Sequence, residues 1–146
     1  MSFSNPQKVE NSGLINHLQN QITPVLDDVH DENTRKMIRD FWYHSVIPYF
    51  VKLDSIDQDI RTGKIEPATA SEQVIRATDQ TLEEGDRLES LLDDPALIRK
   101  IKDTFRLSGA SYGLQSDFVR HAFEKPGGYP GDYETLEFIY NNRPTS

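Results

Sequence analysis

Tyr129, Asp132 and Tyr133 are the residues whose types and spacing best suit chemistry, two phenols and a carboxylate close together in KPGGYPGDYETLEFIY, Lys125 to Tyr140. Gly127, Gly128 and Gly131 allow backbone angles that other residues resist. Pro126 and Pro130 fix φ and remove two N–H donors. The loop therefore has a defined shape. It runs into a helical pattern in which Tyr133, Leu136, Ile139 and Tyr140 share one side. Asp132 and Glu134 fall in the first turn, where carboxylates suit the positive end of the helix dipole. Two readings stand. One is a tight corner between helices, with Tyr129 and Tyr133 as packing residues. The other is a ligand-facing loop whose phenols, carboxylate and backbone N–H groups suit a polar small molecule.

Other candidates are fewer. The histidines are His17, His30, His44 and His121, and none lies three or four residues from another, so no helical metal pair exists. His121 shortly precedes the loop and is placed to face the same space. Asp57 and Asp59 have DxD spacing, but the calcium-loop pattern with its distal glutamate is not met, so no metal site is expected. The absence of cysteine excludes disulfides and thiolate ligands. No nucleophile–base arrangement follows from spacing.

Composition bounds the function. The 146 residues carry 16 basic and 24 acidic side chains, a net charge of −8. Nucleic acid and anionic membrane surfaces both require a basic face, and none is visible. Hydrophobic content of 36% and a mean hydropathy of −0.65 suit a thin helical domain, or one that hides an apolar face against a partner. No apolar run approaches the ~18 residues of a membrane span, and no signal peptide is recognisable. A cytoplasmic protein is expected.

Elements must position these groups. Residues 1–11 read as a flexible tail and 12–146 as one helical domain. Leu14, Ile15, Leu18, Ile22, Val25, Leu26 and Val29 give a first amphipathic helix, with Pro24 as a kink or break. Asp31 caps a second helix to about Leu53, carrying Met37, Ile38, Phe41, Trp42, Val46, Tyr49 and Phe50. Pro48 should kink it or end it one residue earlier. Its aromatics are either the core or an apolar pocket that a kink would open, which makes Trp42 and Tyr49 substrate-contact candidates. Residues 54–66 read as a connection, with a short helical start as an option. Pro67 opens a third helix to about 92, with Ala70, Val74, Ala77, Thr78, Thr81, Leu82, Leu88, Leu91 and Leu92 inward. Asp94 and Pro95 start a fourth, faced by Leu97, Ile98, Ile101 and Phe105. Ser108 to Gly113, SGASYG, either breaks the pattern or packs closely as helix. Leu114, Phe118, Val119, Ala122 and Phe123 make a fifth helix leading to the loop. The expected fold is all-α, a bundle of five to six helices with no sheet.

The segment KPGGYPGDYETLEFIYNNRPTS resembles the stretch just before the catalytic domain in a family of bacterial class I S-adenosylmethionine-dependent methyltransferases. That family is related to enzymes making 3-hydroxypalmitic acid methyl ester. The likeness rests on Lys125-Pro126, on Gly128-Tyr129-Pro130-Gly131-Asp132-Tyr133-Glu134, and on Phe138-Ile139-Tyr140. It implies an N-terminal helical part of such an enzyme, covering the active site and shaping the pocket of a small-molecule or fatty-acid-like acceptor. S-adenosylmethionine would be the cofactor of the full-length enzyme, bound only weakly by this part. Tyr129, Asp132 and Tyr133 would contact it, while His121, Trp42 and Tyr49 would lie toward the acceptor. The strand and glycine-rich turn that hold such a cofactor do not occur before Ser146, so these residues alone are not expected to transfer a methyl group. The implied partner is a C-terminal catalytic domain or a separate protein, with a homodimer as a further option. The alternative is a non-enzymatic helical module for sensing or protein interaction.

Overall fold

The carboxylate of Asp31 accepts hydrogen bonds from the Thr34 hydroxyl at 2.7 Å and the Thr34 N–H at 2.9 Å. It thereby caps the helix that starts at Glu32. Those bonds, the hydroxyl's first, hold its carboxyl below the usual carboxylate range. The computed structural model describes residues 6–112, 119, 122–123 and 130–143. Its elements are α1 (Pro6–Asp27), α2 (Glu32–Phe41), a π-helical turn (Trp42–Val46), α3 (Ile47–Arg61), α4 (Pro67–Leu91), α5 (Pro95–Tyr112) and α6 (Tyr133–Asn141). The fold is an all-α bundle, with no strand among the described residues.

Pro48 neither ends nor splits its helix. It lacks an N–H, and its ring crowds the carbonyl one turn back. The backbone answers with the wide turn just before it, where the Ile47 N–H reaches back five residues to the Trp42 carbonyl. The extra residue in that turn relieves the clash, and Pro48 sits in the first turn of α3. Glu32 to Arg61 is thus a single rod.

Two expected boundaries and one expected helix face are corrected. Residues 6–11, read as part of a tail, belong to α1, which also passes through Pro24. Residues 54–61, read as a connection, are helix, and Ile56 and Ile60 are core. The rod ends only at Thr62, where the Gly63 N–H bonds the Ile60 carbonyl and the Lys64 N–H bonds the Asp59 carbonyl. That double closure needs a left-handed residue, and Gly63 supplies it with φ 75°. On α4, Leu82 and Leu91 were expected inward but are 48% and 62% exposed, because the apolar stripe of α4 is wider than its neighbours cover.

The rod carries the core. Ile38, Trp42, Val46, Phe50, Leu53 and Ile60 are fully buried, against Leu18 and Ile22 of α1 and Val74 of α4. The Trp42 indole N–H donates to the Leu18 carbonyl at 2.8 Å. Tyr49, Phe50, Phe105 and Phe123 form an aromatic cluster with centroids 5.1 to 5.9 Å apart.

SGASYG does not break α5, which is helical to Tyr112. The Phe123 ring lies directly over Gly109, so a β-carbon there would collide with the ring itself. At Gly85, also inside a helix, a β-carbon would meet only the Phe41 ring edge, at an ordinary 3.5 Å. The two glycines should respond oppositely in urea denaturation. Gly109→Ala is expected to lose about 1–3 kcal/mol through overpacking, and Gly85→Ala to gain up to about 1 kcal/mol of helix propensity.

Candidate functional site

Asp132 starts α6. Its carboxylate accepts from the Glu134 N–H at 3.3 Å and the Thr135 hydroxyl at 3.0 Å. The motif's acid is therefore a helix cap. The helix then turns its apolar stripe onto α3 and α4. Leu136 is fully buried, and Ile139 and Tyr140 pack against the core. Phe138, off that stripe, is 67% exposed, and Tyr133, expected on the stripe with Leu136 and Tyr140, is 44% exposed at the start of the helix, a correction to the sequence reading.

Both ends of α6 are tied down. Before it, Pro130 and Gly131 are buried, and the Ser71 hydroxyl on α4 donates to the Gly131 carbonyl at 2.7 Å. A buried carbonyl without such a donor is costly. After it, the Arg143 guanidinium donates to the Tyr140 carbonyl at 2.7 Å, stacks over the Tyr140 ring at 4.0 Å and reaches across Gly63. The motif's described end is thus anchored on α4 from sixty residues away. Beside the anchor a shallow trough of about 440 Å³ runs along α4, lined by Ala68, Ser71, Glu72, Ile75, Arg76 and Asp79.

The Tyr133 hydroxyl donates to the Glu137 carboxylate at 3.3 Å. The negative charge of Glu137 raises the phenol above its ordinary pKa, with desolvation and the charge of Glu66 adding to it. Asp132, Tyr133, Glu134 and Glu137 make this corner aromatic and acidic.

The other predicted residues do not gather here. His121 and Tyr129 lie outside the described residues. Trp42 is fully buried and bonded to Leu18. Tyr49 is 3% exposed, shares a 2.8 Å hydrogen bond with the Thr78 hydroxyl and stacks on Phe105. Neither lines the trough. The π turn keeps this part of the rod packed, where a kink would have opened a pocket around Trp42 and Tyr49. Both are core residues in this structure.

Two features escaped sequence reasoning. Asp54 and Asp57 lie on the inner face of α3, 4% and 1% exposed. Arg61, one turn on, donates through Nε to both oxygens of Asp57 at 2.9 and 3.0 Å, and Gln58 reaches Asp54 at 3.5 Å. Polar groups this deep require such partners, and the DSIDQDIR spacing was the available signal. The second feature is an apolar groove between α2, α4 and α5, a cavity of about 120 Å³. Among the described residues no three His, Asp or Glu groups gather as metal ligands, and no helix is long and apolar enough to cross a membrane. No protein family, curated protein or solved structure matches the chain.

Replacing Ser71 by Ala orphans the Gly131 carbonyl. Hydrogen exchange of the Leu136 to Tyr140 amides should speed up by about tenfold or more, with core amides of α3 less affected. In a spectrophotometric titration, Glu137→Gln should lower the Tyr133 pKa toward that of an ordinary phenol.

Proposed function

We propose that this chain is the N-terminal helical part of a cytoplasmic S-adenosylmethionine-dependent methyltransferase. In this reading it caps the active site of a catalytic domain and shapes the pocket for a small-molecule or fatty-acid-like acceptor. The observation that carries the reading is the build of the GDYE corner. The segment whose sequence resembles the methyltransferase linker is anchored by Ser71, capped by Asp132 and pinned by Arg143. It still leaves Tyr133 and Phe138 facing outward. A mere corner would be served by the buried Leu136 and the half-buried Tyr140 alone. Large apolar side chains held rigidly outward suit a surface waiting for another domain.

The corner also fits the cofactor's charge. S-adenosylmethionine supplies an electrophilic methyl group on a sulfonium, and a phenol face is a favourable neighbour for a cation. Asp132, Glu134 and Glu137 add negative charge around that face. Tyr133, whose phenol Glu137 pushes further above its ordinary pKa, offers a neutral ring. The helical part contributes alignment and exclusion of water, which direct displacement at a methyl carbon chiefly requires.

The test begins with the gene. The reading expects an in-frame strand, glycine-rich turn and helix encoded after Ser146, and methyl transfer by that longer product. In it, Tyr133→Ala and Phe138→Asp should each raise the KM for S-adenosylmethionine or lower turnover by about tenfold, with helicity by circular dichroism unchanged. A stop codon directly after Ser146, or kinetics indifferent to both substitutions, overturns the reading in favour of a helical module that binds a partner without catalysis.

A further inference from the structure

We propose that the groove between α2, α4 and α5 is a binding site for a small cationic amphiphile, an alkyl chain ending in an ammonium group. Its walls are Phe41 of α2, Leu82 and Leu88 of α4, Leu92 just beyond it, and Ile98, Ile101 and Phe105 of α5. The groove is apolar along most of its length and polar only at its rim, the usual make-up of a small-ligand site.

Gly85 is the first argument. It lies inside the 25-residue helix α4, in its last third, and lines the groove. Glycine there costs about 1 kcal/mol of helix stability relative to alanine. Packing does not ask for it, since a β-carbon would meet only the Phe41 ring edge at 3.5 Å. Nor does the backbone, since Gly85 has no positive φ. At Gly109, by contrast, the Phe123 ring leaves no room for a side chain. What the missing side chain at Gly85 does is keep the groove deep.

Rim charge is the second argument, and it selects the ligand. Three charged residues line the groove: Asp86, Glu89 and Lys102. Lys102 reaches across from α5 to Glu89 of α4, at 3.1 Å. That pair neutralises itself and straps one part of the mouth. Asp86 forms no ion pair or hydrogen bond with the described residues, and its exposed carboxylate stands alone at the rim. The mouth thus carries one uncompensated negative charge above an apolar floor. An alkyl chain in the groove with its ammonium at Asp86 satisfies both, whereas a carboxylate head would meet repulsion there and find the lysine already engaged.

The probes are n-octylammonium and n-octanoate, compared at equal ionic strength below micelle formation by amide chemical-shift titration of the intact chain. Octylammonium should shift the amides of Thr81 to Leu92 and Ile98 to Phe105, and bind about threefold to fivefold more tightly than octanoate, the size of one partly exposed charge contact. Asp86→Asn, a surface change, should erase that preference while leaving the chain's binding. Gly85→Leu should remove binding of both probes, and the milder Gly85→Ala, which packs without collision, should weaken it if the larger residue unfolds the protein. Equal or tighter binding of octanoate, a preference that survives Asp86→Asn, binding unaffected by Gly85→Ala and Gly85→Leu, or no shifts in these segments would each overturn the proposal.

Discussion

A proline in the middle of the core-bearing helix is the constraint on which this structure depends. Pro48 stands between Val46 and Phe50, both fully buried, so the chain cannot afford a break there. A helix cut at this point would leave Trp42 and Phe50 on separate segments, free to rotate against one another. The π turn resolves the conflict locally, at the cost of one altered turn. It keeps Trp42 facing Leu18 and Tyr49 facing Thr78, so α1 and α4 pack against opposite parts of one continuous rod. The Ser45 hydroxyl, inside the same turn, donates to the Glu84 carboxylate on α4. α1 and α4 take their positions on the rod from these contacts.

The outward face of α6 depends on that chain of positions. α4 is held by the rod, Ser71 of α4 holds Gly131, and Gly131 leads into the Asp132 cap. The fixed ends leave the helix no rotational choice, so its exposed aromatics have a definite direction. The apolar groove arises from the same arrangement at the other end of α4, where α5 approaches and Gly85 leaves space. Two surfaces with different chemistry thus share one supporting helix. One is aromatic and acidic at Tyr133, the other apolar with one unpaired acid at Asp86.

What the sequence disclosed follows from where the determining physics lay. Helix starts at Asp31, Pro67, Asp94-Pro95 and Asp132 were legible because capping is settled within four residues. Asp132 was read one position too far in, inside the first turn, where the structure makes it the cap. The continuation of α3 to Arg61 was not, since Asp54 and Asp57 look like solvent-facing loop residues until Arg61 and the fold provide their partners. Pro48 gave notice of a disturbance but not its form, because a kink, a stop and a π turn begin from the same missing N–H. SGASYG was ambiguous for a tertiary reason, as only the Phe123 ring over Gly109 explains the small residue. Trp42 and Tyr49 were legible as core or pocket residues, and only their bonds to Leu18 and Thr78 decide for core. Ser71 gave no sign of its bond sixty residues away.

Native-state hydrogen exchange across the rod addresses the central point most directly. If Glu32 to Arg61 is one mechanical unit, the slowest amides before the π turn, around Ile38, and those after it, around Leu53 and Ile56, open with the same free energy and the same denaturant dependence. Trp42→Phe, which deletes the indole donor to Leu18, then lowers both by the same amount. A lower-energy opening confined to the residues after Pro48, untouched by that substitution, would mean two helices joined at a hinge and would contradict the account.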